Sequence, residues 1–194
     1  AIQWHQPGRD VEAIDRVEID GIPVANLTMG DALGRIVGFM DKPQQRVVSF
    51  VNADCIHEAA HDEKYGSALR VSDLVLGDGV GVRLFSRLIG EPLRENVNGT
   101  DLVPRLCEAL QGTDHSIYLL GGLPGVAGAV STWIQTTYPA CRVAGFYDGY
   151  FSAEEEGDVI RDIERSKPTL LLVAFGAPRH ETWLREHLAS TGPQ

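Results

Sequence analysis

Short apolar runs closed by glycine, proline or asparagine alternate along this chain with stretches whose apolar residues recur every three or four positions. Runs of the first kind read as buried strands, and those of the second as amphipathic helices. Arg16–Asp20 and Ile22–Ala25, joined at Gly21, predict a small hairpin. Thr28 then caps a helix through Met40, with Leu33, Ile36, Val37 and Met40 on one face. Arg46–Val51 is the next strand, and the chain is expected to be helical from Asp54. Asp73–Leu76 predicts a strand and Val80–Ile89 a helix. Thr100 and Asp101 open a helix striped by Leu102, Leu106 and Leu110. Ser116–Leu120, Arg142–Phe146 and Thr169–Phe175 are strands. Between them lie helices over Val126–Thr136 and from Ser152 to Glu164, and a last helix follows Pro178. Near-continuous apolar strands alternating with helices predict an α/β fold: a Rossmann-like parallel sheet with helices on both faces and a small N-terminal hairpin.

The pattern fades at the N-terminus, where residues 1–15 read as a flexible arm; residues 16–194 read as a single α/β domain. The polar stretch Glu91–Asn98 is the best internal joint, near 91–98. Composition adds little to this picture: 43% hydrophobic and 23% charged residues describe an ordinary globular chain. No run approaches the roughly 18 apolar residues of a spanning helix, and no secretory signal opens the sequence, so a cytoplasmic location is the expectation. A net charge of −10 with scattered Lys and Arg disfavours nucleic acid as a partner. Cys55, Cys107 and Cys141 are odd in number and widely spaced, which points to small core residues rather than a disulfide framework or zinc site.

Candidate chemistry collects where strands end. Leu76-Gly77-Asp78-Gly79-Val80-Gly81 places one carboxylate in a glycine-rich strand-to-helix turn. Asp78 is there either as a general base or hydroxyl ligand or as an ordinary N-cap. Gly121-Gly122-Leu123-Pro124-Gly125 is a cradle for a diphosphate or simply a tight turn. Tyr147-Asp148-Gly149-Tyr150-Phe151 offers an aromatic-flanked carboxylate to a sugar or base, or a packed turn with a capping Asp. Asn96-Val97-Asn98-Gly99-Thr100-Asp101 can bond a sugar or form a turn that caps a helix. Asn52-Ala53-Asp54 carries the same ambiguity, with Asp54 favoured as the cap. Behind the last strand, Gly176-Ala177-Pro178-Arg179-His180-Glu181-Thr182-Trp183 brings an imidazole and a carboxylate to the mouth of an open sheet. His57 and His61 lie four apart and could in principle bind a metal with Asp54, Glu58 or Asp62, but read as a solvated face; no metal site is expected. The absence of a G-x-S-x-G elbow, a Walker lysine and a third fingerprint glycine disfavours a serine hydrolase, an ATPase and an NAD enzyme.

Taken in order, these turns resemble the WecG/TagA/CpsF family of bacterial glycosyltransferases (glycosyltransferase family 26), over about Val17 to Arg185. The resemblance rests on Val51-Asn52-Ala53-Asp54, Gly77-Asp78-Gly79-Val80-Gly81, Asn98-Gly99-Thr100-Asp101-Leu102, Leu120-Gly121-Gly122 with Pro124-Gly125-Val126-Ala127, Asp148-Gly149-Tyr150-Phe151, and Gly176-Ala177-Pro178 with Glu181 and Trp183. It implies inverting transfer of a sugar from a UDP-sugar to an undecaprenyl-diphosphate-linked sugar in teichoic-acid, exopolysaccharide or other cell-surface polysaccharide synthesis. Asp78 matches the family's proposed base. Asn52, Asn98, Thr100, Asp101, Gly121, Gly122, Asp148, Tyr150, Gly176, His180 and Glu181 are then expected to bind substrate. The family works without a bound metal or other cofactor, and forms dimers or trimers. Its members sit peripherally at the inner face of the cell membrane through a basic C-terminal appendage, which this chain is expected to lack. The resemblance therefore implies a shortened protein that binds nucleotide better than it catalyses.

Two positions depart from the family pattern. Phe50, with Ser49 adjacent, stands where a Thr is common, and His180 stands where a Gln follows the Gly-Ala-Pro turn. Both fall on positions that the resemblance makes substrate-facing, so the sugar is left open between the N-acetylmannosamine type and another hexose such as glucose. The alternative reading is a non-catalytic nucleotide-binding α/β module.

Overall fold

A computed structural model describes residues 14–191, with side chains to residue 187; all but two residues of the expected N-terminal arm lie outside the described residues. The elements are β1 (Arg16–Ile19), β2 (Ile22–Ala25), α1 (Met29–Met40), β3 (Val48–Val51), α2 (Ala53–His61), α3 (Glu63–Arg70), β4 (Leu74–Gly77), α4 (Val80–Leu88), α5 (Gly99–Ala109), β5 (Ser116–Gly121), α6 (Val126–Thr137), β6 (Arg142–Tyr147), α7 (Ala153–Ser166), β7 (Leu170–Ala174) and α8 (Arg179–Thr191). They form two compact units. Residues up to 32 with 46–99 make the first, and 33–45 with the chain from Thr100 make the second.

In the first unit β1 and β2 pair antiparallel, and β3 and β4 pair parallel with Val51 opposite Gly77. Val17, Ile19, Val24, Val51, Val75 and Leu69 fill its core. The parallel pair starts later than the apolar run suggests, for a local reason. The Asp73 carboxylate takes the Val47 N–H at 2.8 Å and the Arg46 guanidinium at 2.7 Å, so side-chain bonds replace the first rungs of the ladder. The helix expected from Asp54 is two helices. Asp62 adopts extended backbone (φ −114°, ψ 100°), which ends α2, and its side chain accepts from Tyr65 N to start α3. Asn52, not Asp54, is the cap of α2: its Oδ1 accepts from Cys55 N at 2.9 Å. Thr28 caps α1 as expected, exchanging bonds with Asp31.

The second unit carries a three-stranded parallel sheet in the order β6-β5-β7. Successive side chains of a strand point to opposite faces, and β5 shows it plainly. Ile117 and Leu119 pack with Cys107, Leu110, Ile134 and Met40. Tyr118 and Leu120 pack with Val159, Ile163 and Trp183. One face is therefore covered by α5, α6 and the end of α1, the other by α7 and α8, which is the two-sided α/β layering that the sequence predicts. Ser152 caps α7 in a reciprocal capping box with Glu155. The chain leaves β5 for β6 on one side, then crosses to β7 on the other. The carboxyl ends of β5 and β7 thus flank a topological switch point, where open α/β sheets take ligands.

Candidate functional site

The sequence-selected residues fall in two groups, one in each unit. In the first, the paired ends of β3 and β4 present Asn52 and Asp78 as the residues that follow Val51 and Gly77. The ordinary capping role for Asp78 does not apply. Gly79 holds the N-cap position of α4 at φ +97°, with no side-chain cap bond, a conformation that costs a residue with a Cβ. Asp78 is half-buried; its N–H is spent on Val51 O at 2.8 Å, while its Oδ2 receives only the long 3.5 Å approach of Gly99 N–H. A carboxylate so lightly engaged keeps acceptor capacity for an incoming hydroxyl.

The turn is held from outside by the loop after α4. Asn96 Oδ1 accepts the Gly79 N–H at 2.6 Å, and Val97 N–H bonds Gly77 O at 3.0 Å. Leu93 and Val97 are buried, Leu93 N–H bonds Ser86 Oγ, and Arg94 N–H bonds Asn26 Oδ1. Residues 91–98 are therefore fastened along their length within the first unit, and the division between units falls after Gly99. Asn98 is half-buried beside Val97. Asn96, in the stretch expected to bond a sugar or cap a helix, instead spends its Oδ1 on fixing the Asp78 turn.

In the second unit Gly121 and Gly122 close β5 at φ +134° and +77°, and Gly125 enters α6 at φ +87° without a side-chain cap. A Cβ on Gly121 would sit 2.4 Å from Ala174 O, so the β5 turn lies hard against the end of β7. Gly122 N–H bonds Ala174 O at 3.0 Å, and Gly149 N–H bonds Gly122 O at 2.9 Å. Asp148 is partly structural, because its Oδ2 takes the Gly125 N–H at 2.9 Å. Its Oδ1 is buried without a partner among the described residues. Tyr150 is exposed, whereas Tyr147 and Phe151 pack edge-to-face in the core. The first turn of α5 exposes Thr100 and Asp101.

The β7-to-α8 turn has Gly176 at φ +82° and a cis Ala177–Pro178 peptide. Glu181 is buried to 4% exposure, yet among the described residues neither carboxylate oxygen receives a directed hydrogen bond. His180 Nε2 lies 2.7 Å from Glu181 Oε1. This close contact is not aligned as a directed hydrogen bond. His180 Nδ1 is likewise buried without a partner among the described residues. Burying such groups unmet is costly, and each buried polar group left unmet in a fold calls for an explanation such as a ligand. Trp183 is structural: its Nε1 donates to Glu156 Oε1 at 2.9 Å, tying α8 to α7.

Sequence reading passed over Arg179. Its exposed guanidinium stands 4.6 Å from the Phe175 ring and 5.6 Å from that of Phe151. A cation in the first turn of a helix opposes the macrodipole, and that misplacement was the available signal. Propped on two rings, it is a preorganised cation at the switch point.

The remaining candidates do not converge on metal chemistry. His57 and His61 are exposed, and His61 Nδ1 faces the His57 carbonyl at 2.8 Å. No group of three or more potential metal-binding side chains occurs among the described residues.

The chain has relatives among known proteins. The chain is 30% identical over 149 residues to an N-acetylglucosaminyldiphosphoundecaprenol N-acetyl-beta-D-mannosaminyltransferase of Bacillus subtilis, covering 77% of this chain and 57% of that protein. It is 26% identical over 174 residues to a Staphylococcus aureus protein of the same name, covering 89% of this chain and 68% of its relative. The chain thus spans little more than half the length of the Bacillus relative. Residues 17–194 match the glycosyl transferase WecG/TagA/CpsF family, and with most of the sequence so covered, the chain belongs to that family.

Proposed function

We propose that this protein transfers a sugar, with inversion, from a UDP-sugar to a sugar carried on a polyprenyl diphosphate. The observation that carries the reading is Asp78, a half-buried carboxylate at a strand end whose turn is built by other groups and whose oxygens are left nearly unengaged. Such a group is suited to take the proton of an acceptor hydroxyl as it attacks the anomeric carbon. The leaving UDP departs as an anion. The uncapped start of α6, the positive-φ glycines of the β5 turn and the guanidinium of Arg179 are suited to stabilise it. Asp148 Oδ1, His180 Nδ1 and Glu181, all buried without directed bonds, supply hydrogen bonds to the hydroxyl or amide groups of the donor.

The relatives' names specify an N-acetylmannosaminyl group and an N-acetylglucosaminyl-diphosphoundecaprenol acceptor. For this chain the acceptor class is carried over, and the donor is taken as a hexose whose identity His180 helps to set. Placement at the inner membrane surface follows from the acceptor. The test is product formation from UDP-sugars and a short-chain lipid-diphosphate sugar. Asp78→Asn abolishes transfer and leaves UDP binding within about twofold, since a neutral isostere keeps the hydrogen-bonding shape but not the basicity. Wild-type turnover in that variant would refute the assignment, and UDP binding with no transfer by the parent in any acceptor series would favour a nucleotide-binding module.

A further inference from the structure

Helix α4 inverts the usual pattern of a surface helix. Its inner face is Val82 and Ser86, both buried, while Leu84, Phe85, Leu88 and Ile89 are exposed, with Val80 at 83% and Leu88 at 77%. At 100° per residue Val80, Leu84, Leu88 and Phe85 sweep one continuous outer arc, so the apolar stripe faces away from the core it should join. Contiguous exposed apolar residues of this kind mark an interaction surface.

Charge identifies the partner. The chain carries −10 overall, yet residues 80–90 contain no acid and two arginines, Arg83 and Arg87, at the edge of the apolar arc. Neither arginine forms an ion pair among the described residues, and Arg83 Nε is buried without a partner. An apolar face edged by uncompensated cations matches the boundary between acyl chains and anionic headgroups.

We propose that the outer face of α4 docks onto an anionic lipid bilayer. The inference rests on the reading of the acceptor as lipid-linked, which gives the docking its purpose. Asp78 and Gly79 lead directly into α4, so a helix lying in the headgroup layer holds the proposed base at the level where a lipid-borne diphosphate sugar emerges.

The test is sedimentation of the full chain with vesicles of phosphatidylglycerol and phosphatidylethanolamine, without donor or acceptor, against vesicles of phosphatidylcholine alone. Binding is expected to the anionic vesicles. Leu84→Glu with Leu88→Glu weakens it about a hundredfold, tenfold for each buried leucine lost, and Arg87→Gln about fivefold. Because all three side chains are exposed, melting temperatures stay unchanged. Equal binding by parent and variants, no binding to any vesicle, or a dimer that the leucine variant dissociates would overturn the proposal. Transfer to a water-soluble short-chain acceptor separates this outcome from the enzymatic reading. The leucine variant keeps parental turnover there, and a parent that binds vesicles but transfers nothing refutes the enzymatic reading alone.

Discussion

At the scale of single residues, the second unit concentrates groups that its fold does not need. Glu181 is the clearest, a buried carboxylate with no directed donor. Its burial costs stability that a neutral amide would not. Glu181→Gln is therefore expected to raise Tm by about 2–4 °C while weakening donor binding, the exchange of stability for activity common at functional sites. Differential scanning calorimetry beside UDP-sugar titration checks both halves, and a lowered Tm would show that the carboxylate is structural. Arg179 makes the opposite case, an exposed cation resting on aromatic faces. Arg179→Ala should weaken UDP binding about fivefold to tenfold, consistent with loss of one charge-assisted contact, with Tm nearly unchanged. Asp78, Gly121 and His180 stand out as candidates in the sequence because strand-end glycines and short polar motifs are local signals. Arg179 and the burial of Glu181 are not legible there, since both are set by packing against other elements, and neither is the use of Asn96 to hold the Gly79 N–H rather than a sugar.

Secondary-structure elements show which glycines are dictated by neighbours and which by their own backbone. At Gly121 an added Cβ meets a backbone carbonyl of the adjacent strand at 2.4 Å, on top of a positive φ. At Gly176 the φ is +82° but the surrounding space is open. Gly121→Ala should cost at least about 3 kcal/mol, or fail to yield folded protein. Gly176→Ala should cost only about 1–2 kcal/mol from the left-handed backbone. Urea denaturation of both distinguishes steric contact from strain, and equal losses would contradict it. A second prediction concerns α5 and the start of β6, where Cys107 and Cys141 meet in the core. Burial, reinforced by the neighbouring Cys141 thiol, pushes Cys107 up to about 12 from 9.0. A thiol is neutral when protonated, so the unfolded chain loses this proton first. The associated stability is complete below about pH 9 and is lost as pH rises toward 12, by up to about 1.4 kcal/mol per pH unit. Cys107→Ala should flatten that alkaline decline in urea midpoints, and an unchanged slope would argue against it.

On the scale of the molecule, alternation of apolar runs and helices was enough to predict an α/β protein, because each strand and helix must bury a face regardless of its neighbours. Element ends were less legible. The first rungs of the β3–β4 pair yield to bonds from Asp73, and Asp62 splits one expected helix into two. Those outcomes depend on side chains distant in sequence or on competing caps. The partition of the chain was also hidden. Nothing in the periodicity of α1 distinguishes residues that stay with the first unit from Met40, which packs beneath β5 in the second.

That interleaving has a consequence for biosynthesis and for fragmentation. The second unit's hydrophobic layer includes Met40, a residue made long before Cys107, Ile117 and Ile134, which it joins. On the ribosome the segment 33–45 must therefore wait unsatisfied while the whole of 46–99 emerges. A fragment beginning at Thr100 would leave that piece of its own interior behind. Such a fragment should be aggregation-prone when expressed alone and recover solubility when 33–45 is grafted back, for instance through a permuted chain. The boundary that looks natural along the sequence is thus a poor place to cut this protein.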